Sequence, residues 1–242
     1  MCGRYSFGNP ARIATLPLGA ALPAYPARFN IAPSQSVPLV LQDREGRRAQ
    51  LARWGLVPFW ADDPSIGNRL ANARGDTAAT KPSFRAAFKS RRGLLPLDAY
   101  YEWQTLTGSK VKQPWAIGLP DHAPFAVAAL WERWTPKGDP DAEPLVSCCI
   151  VTTEPNATMA PIHDRMPVIV APEHYDQWLD PTHPEAAQAL IGPWKGPMEA
   201  WKVSTYVNAP RNEGPDCWRP VDSPQDLPPE LTSAPDANLP LF

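Results

Sequence analysis

Leu94-Leu95-Pro96-Leu97-Asp98-Ala99-Tyr100-Tyr101-Glu102-Trp103-Gln104-Thr105 reads as two short strands, residues 94–97 and 100–105, with one carboxylate inside an aromatic run. Short apolar runs bounded by turn residues are the mark of β structure. The pattern continues outward in both directions. Before it lie a strand over 37–42, a hairpin loop over 43–47 and a strand over 49–54. After it come strands over 115–119, 125–131, 145–153, 167–170 and 198–206. The predicted helices are short: 10–16, 82–90 entered through Pro82, 173–179 and 185–191. Residues 62–68 form a polar loop, and 72–77 and 157–166 are polar without helical or strand periodicity. The 32 prolines point the same way, because each removes a backbone donor and limits helix length. The expected fold is of the α+β class: a single mixed, mostly β domain over residues 1–220, without internal repeats. Residues 221–242 are rich in Pro, Asp and Ser and are read as a loosely ordered tail.

Composition narrows the class of function. No apolar run approaches the ~20 residues that a membrane helix needs, and the N-terminus lacks a charged-then-apolar signal pattern. No membrane association or export is expected. Four cysteines, Cys2, Cys148, Cys149 and Cys217, make neither a disulfide framework nor a C-x-x-C metal site. A reducing cytoplasm fits them, with no metal and no cofactor. Residues 1–113 carry 16 Lys and Arg against 7 Asp and Glu, while the remainder carries 7 against 18. A basic half suggests an anionic partner or a solvated cationic face. The sequence pI of 6.1 argues against a dedicated binder of duplex DNA.

The chain opens Met1-Cys2-Gly3-Arg4. Removal of Met1 leaves the Cys2 α-amine beside its thiol, both partly nucleophilic near neutral pH. Such an end is either an accident of initiation or a covalent catalyst, a 1,2-aminothiol whose amine condenses with an aldehyde to an imine while the thiol closes a five-membered thiazolidine. Glu102 lies between Tyr101 and Trp103. Strand alternation favours a solvent-facing carboxylate there, whereas a buried one has a raised pKa and moves protons near neutrality. His163, followed by Asp164 and Arg165, is either an acid/base group or an idle loop histidine, and no second ligand at zinc spacing accompanies it. Asn72 is either a turn residue or a group that orients an amine or sugar hydroxyl, and Arg74 suits a phosphate. Trp54, Phe59 and Trp60 offer stacking surfaces for unpaired bases. Aromatics at this density also build cores, and Trp54 is expected in the core.

Six blocks occur in order: Met1-Cys2-Gly3-Arg4-Tyr5, Asn30-Ile31-Ala32-Pro33, Trp54-Gly55-Leu56-Val57-Pro58, Asn72-Ala73-Arg74-Gly75-Asp76-Thr77, Tyr101-Glu102-Trp103 and His163-Asp164-Arg165-Met166-Pro167. Together they resemble the signature of the SRAP family, the SOS response-associated peptidases or abasic-site processing proteins, over residues 2 to about 208. The resemblance implies twisted antiparallel sheets in a barrel-like arrangement with short helices. It implies a monomeric sensor of abasic sites in single-stranded DNA, cytoplasmic and nucleoid-associated when bound. Cys2 would crosslink to the ring-opened sugar aldehyde and shield the site. Crosslink reversal, abasic-site lyase activity and self-removal of Met1 would accompany this.

By the same resemblance, Asn72 positions the Cys2 amine and the sugar, and Glu102 moves protons during ring opening and imine formation. His163 serves ring opening and reversal. Arg4, Asn30, Pro33 and Trp60 fall at or near positions lining the family's DNA channel. Arg74, Arg85 and Thr152 do likewise. Asn30, Pro33 and Trp60 would hold the strand bent, with Arg74 and Arg85 on phosphates. Gly75-Asp76 departs from the family's pattern in its block, and the acidic tail has no family counterpart. Two rivals stand beside this reading. One is an N-terminal-nucleophile cysteine amidohydrolase or peptidase, and the other a non-covalent single-strand binder.

Overall fold

A computed structural model describes residues 2–108, 110–139 and 141–223. Its strands are β1 Tyr5–Phe7, β2 Arg28–Ile31, β3 Ser36–Asp43, β4 Gly46–Trp54, β5 Asn72–Arg74, β6 Arg92–Leu97 and β7 Ala99–Gln104. They continue as β8 Gln113–Gly118, β9 Phe125–Trp134, β10 Leu145–Thr153, β11 Met166–Pro167, β12 Ile169–Val170 and β13 Glu199–Lys202. The helices are α1 Pro10–Ile13, α2 Gly75–Ala78, α3 Arg85–Ser90, α4 Tyr175–Leu179 and α5 Pro184–Gln188.

Five strands close a barrel in the order β10-β4-β3-β6-β9, with β9 pairing back onto β10. Only the β10–β4 edge of that ring is parallel. The second sheet, β13-β8-β7-β1-β2, is antiparallel throughout. Side chains alternate across each barrel strand and meet apolar neighbours on both sides. Leu39, Trp54, Leu95, Val127, Trp131 and Ile150 join the inner cluster, which also takes in Tyr5, Tyr100 and Cys2 from the second sheet. Val40, Leu94, Ala128, Leu130 and Val151 face outward beneath α2–α5, where Phe88 and Trp178 cover them. Two-sided burial explains why these strands read as continuous apolar runs.

A cation is sunk in this packing. Arg92 is wholly buried, and its guanidinium donates to the carbonyls of Trp178 at 2.8 Å, Phe88, Lys89 and Asp180. A buried cation is tolerated when its donors are met in this way. The bonds pin the ends of α3 and α4 to the barrel.

The mostly β architecture follows the sequence expectation, with local corrections. The aperiodic stretch 72–77 is β5 followed by α2, each too short to express a period. β5 gains its order from parallel pairing with β10, Asn72 opposite Ile150 and Arg74 opposite Thr152. The polar loop 62–68 contains a 3-10 turn over Pro64–Arg69. The helix after Pro82 begins only at Arg85, and the one at 185–191 runs from Pro184 to Gln188. The strand expected over 167–170 is two two-residue pieces flanking Val168, whose N–H bonds to Val151 O at 2.9 Å. The last strand stops at Lys202, because Ser204 caps a 3-10 turn over Thr205–Asn208. Most of the expected tail, from residue 224 onward, lies outside the described residues.

Candidate functional site

Cys2 sits just ahead of β1, which pairs with β7 through Tyr5 opposite Tyr100. The Tyr101 N–H bonds to Arg4 O at 3.0 Å and extends that pairing toward the N-terminus. Cys2 is thereby drawn into the inner core at 1% exposure, with its Sγ 3.8 Å from Arg4 O. From the barrel side, Asn72 at the start of β5 donates its Nδ2–H to the Cys2 carbonyl at 2.8 Å. One amide side chain therefore ties the N-terminal segment to the strand that β10 holds in place.

Glu102 corrects the alternation argument: it is 2% exposed, not solvent-facing. Ala99, Tyr100, Tyr101 and Glu102 are buried in succession, so both faces of β7 are covered there. Tyr101 packs against Val203, Val207 and Cys217 on one face. Tyr100 and Glu102, two residues apart, share the other face, where Tyr100 lies in the cluster that holds Cys2. Burial pushes the Glu102 carboxyl up to about 7.

His163 closes the group. Its Nε2 is 3.7 Å from Glu102 Oε2, and its Nδ1 accepts the Arg165 N–H at 3.1 Å. In the neutral ring that bond leaves the proton on Nε2, facing Glu102. Burial lowers the imidazole pKa, while the exposed Asp164 carboxylate, 2.9 Å from Nδ1, opposes the effect. The result is a carboxyl that titrates at about 7 beside a ring whose burial favours its neutral form, with the carboxyl close enough to act electrostatically on the Cys2 thiol. Burial pushes the Cys2 thiol far up, and the Glu102 charge adds to this. Among the described residues no group of His, Cys, Asp or Glu converges in a way that holds a metal ion, and no helix is long and apolar enough to cross a membrane.

The remaining candidates divide by exposure. Arg74 and Thr152 are paired across β5 and β10, two residues along from Asn72 and Ile150. Arg74 is exposed and bonded to Asp76 at 2.7 Å, whereas Thr152 is wholly buried. Trp60 and its neighbour Phe59 are 42% and 57% exposed, while Trp54 is core as expected. Pro33 is half-buried in the turn between β2 and β3.

Asn30 and Arg4 are both engaged inside the molecule, Arg4 being only half-buried. Asn30 is wholly buried, with its Nδ2 within 3.1 Å of the carbonyls of Val207, Ala209 and Asn212. Arg4 donates to Asn30 Oδ1 and to Val207 O, each at 2.8 Å, and its guanidinium lies over the Trp103 ring. Together they fasten residues 207–212 to the second sheet. Arg85 is exposed at the start of α3, in a groove shared with Pro184, Glu185 and Gln188, and it has no described contact with the Cys2 cluster.

Two residues at the site carried no role in the sequence reading. Arg165 sends Nη2 to Thr152 O at 2.6 Å and to its Oγ1 at 3.3 Å, bracing β10 against the His163 turn. Its place two residues after His163 was a usable signal. Tyr100 was marked only by its i, i+2 relation to Glu102.

A family model described as SOS response associated peptidase (SRAP) matches residues 1–210. Abasic site processing protein YoqW of Bacillus subtilis (strain 168) is 40% identical over 223 residues, 89% of this chain and 98% of that protein. Abasic site processing protein YoaM of the same organism is 44% identical over 191 residues, 78% of this chain and 82% of that protein. Abasic site processing protein HMCES of Gallus gallus is 32% identical over 234 residues, 82% of this chain and 67% of that protein. Among solved structures, a Bacteroides thetaiotaomicron protein aligns with a TM-score of 0.71 at 25% identity, covering 80% of this chain and 85% of its own. A phage-related protein from Bordetella bronchiseptica aligns with a TM-score of 0.64 at 26% identity, covering 84% and 94%.

Proposed function

Since this chain belongs to the SOS response associated peptidase (SRAP) family, we propose that it is a sensor of abasic sites in single-stranded DNA that joins them covalently through Cys2. Hydrolysis of the Met1–Cys2 peptide bond frees the Cys2 amine. The amine condenses with the C1′ aldehyde of the ring-opened sugar, releasing one water and leaving an imine. The Cys2 thiol then adds across the C=N bond: sulfur bonds to C1′, and the thiol proton ends on nitrogen. The product is a thiazolidine that shields the site from strand cleavage.

The observation that carries the reading is the buried Glu102 carboxyl, with a pKa of about 7, on the face of β7 that turns toward Cys2, 3.7 Å from His163. A group that titrates near neutrality can both deliver the proton that ring opening needs and accept the one that amine attack releases. His163, with Nε2–H toward Glu102, exchanges protons with the same carboxyl during ring opening and reversal. Asn72 holds the Cys2 backbone at its carbonyl, which fixes where the adjoining amine points.

The strand follows the basic half of the molecule, which matches a phosphate backbone. Arg74 contacts phosphates at the site, Arg85 further out on α3, and Trp60 stacks on an unpaired base beside Pro33. Thr152, Asn30 and Arg4 shape the channel from beneath. If the thiol fails to close the ring, the imine allows β-elimination, so weak lyase activity accompanies the crosslink. The protein acts as a monomer in the cytoplasm.

The test is incubation with an oligonucleotide carrying one abasic site, followed by a denaturing gel. A shifted band that Cys2→Ala abolishes is expected. A parent that forms no denaturant-resistant product, or a Cys2→Ala variant that still forms one, overturns the reading.

A further inference from the structure

Phe59 and Trp60 are the only aromatics among the exposed large hydrophobic side chains of the described residues. The loop that carries them is closed at its base with unusual tightness. Gly55 has φ +130°, and a Cβ there would come within 2.6 Å of Gly67 O, so the two backbones touch across the loop's neck. Leu56 N–H bonds to Leu70 O at 3.0 Å just beyond. Arg53 reaches in from β4, donating Nη1–H to Pro64 O at 3.2 Å and Nη2–H to Asn68 Oδ1 at 2.7 Å.

A second segment is tied to the same amide. Ser34 follows Pro33 and has φ +76°, a left-handed conformation that a non-glycine residue keeps only when its surroundings impose it. Two bonds impose it here. Its N–H bonds to Trp54 O at 2.6 Å, and its Oγ–H to Asn68 Oδ1 at 3.0 Å. One oxygen atom thus accepts from both the strand that ends at the aromatic loop and the turn that carries Pro33.

We propose that Asn68 is a positioning residue for single-stranded nucleic acid: its Oδ1 brackets the Pro33–Ser34 turn to the neck of the Phe59–Trp60 loop, presetting the spacing between the proline and the two rings. The ligand is a strand with unstacked bases, because exposed rings gain from base faces and a duplex hides those faces. Presetting the rings removes an ordering cost at binding. The Asn68 bonds go to Ser34 and Arg53 and to none of Cys2, Asn72, Glu102 and His163, so the bracket does no chemistry. It rests on the proposed function only for the identity of the abasic substrate.

Two variants test the bracket. Asn68→Ala removes the shared acceptor. Ser34→Gly removes the hydroxyl while placing at φ +76° the residue that prefers it, so affinity and stability separate. Affinity is read by fluorescence anisotropy with a labelled single-stranded oligonucleotide lacking any abasic site. The crosslinking rate is read at saturating abasic oligonucleotide. Both variants are expected to bind roughly tenfold more weakly, with an unchanged saturated rate and, for Ser34→Gly, a melting temperature close to the parent's. Parental affinity in both variants overturns the proposal, as does weaker binding only in step with lost melting temperature. If the parent itself forms no crosslink, the proposed function falls, and the anisotropy arm still decides the bracket.

Discussion

His163 Nε2 stands 3.7 Å from Glu102 Oε2, and Glu102 is the partner whose carboxyl is buried enough to titrate at about 7. The two side chains come from distant parts of the chain, the interior strand β7 and the turn after β10. Their meeting places an acid/base pair on the side of β7 that faces the Cys2 cluster.

The first prediction concerns pH. Burial raises the Glu102 pKa from its ordinary 4.5 to about 7, so the folded state holds this proton more tightly than the unfolded state does. The stability this gives is fully present below about 4.5 and is lost as pH rises through about 7. Glu102→Gln keeps the shape without the titration. Relative to that variant, the parent is expected to lose up to about 3 kcal/mol between pH 4.5 and 8, measured by urea unfolding. The parent's crosslinking rate should show an inflection near pH 7 that Glu102→Gln lacks. Parallel stability curves for the two proteins would contradict the assignment.

The second separates the pair. With Nε2–H aimed at Glu102 and Nδ1 engaged by the Arg165 N–H, His163 acts on the sugar through a proton exchange that formation and reversal use unequally. His163→Ala is expected to slow reversal at least tenfold more than formation, about 1.4 kcal/mol of differential effect. Formation and release of purified crosslink, followed on gels, measure the two steps. Equal slowing of both would undo the division of labour.

The third concerns Asn30, which is a fastener. Asn30→Ala strips partners from Arg4 and from three backbone carbonyls in a buried place. Leaving such groups unmet costs about 2–4 kcal/mol, or roughly 5–12 °C in melting temperature for a protein of this size. DNA binding should weaken only as the fold does, with an unchanged salt slope. A variant that melts like the parent and binds poorly would make Asn30 a direct contact.

The fourth is the opposite case. Arg74 and Asp76 are about half exposed, so their ion pair contributes little to stability. Arg74→Ala is expected to leave melting unchanged within about 0.5 kcal/mol. It should also reduce the slope of log affinity against log salt by about 1, the mark of one lost phosphate contact.

The sequence made the β architecture legible because short apolar runs between prolines have few other readings. Trp54 could be placed in the core by composition alone. Glu102 could not, because strand alternation assumes one wet face and β7 has none. Asn72 looked aperiodic because β5 is three residues long and ordered by its neighbour β10. Asn30 and Arg4 shared blocks with site residues, and a motif does not say whether its members face the ligand or brace the wall behind it. Ser34, Asn68 and Arg53 left no trace in the pattern, since their relation exists only once β4 and the two turns have folded together.

The central claim is that a freed Cys2 amine and its thiol close on an abasic aldehyde. Intact-mass spectrometry of the protein after reaction with an abasic oligonucleotide tests it most directly. The expected adduct weighs as much as the oligonucleotide plus the chain without Met1, less one water, and peptide mapping places it on Cys2. An adduct on a chain that keeps Met1, one mapped to another residue, or a full set of unmodified masses would contradict it.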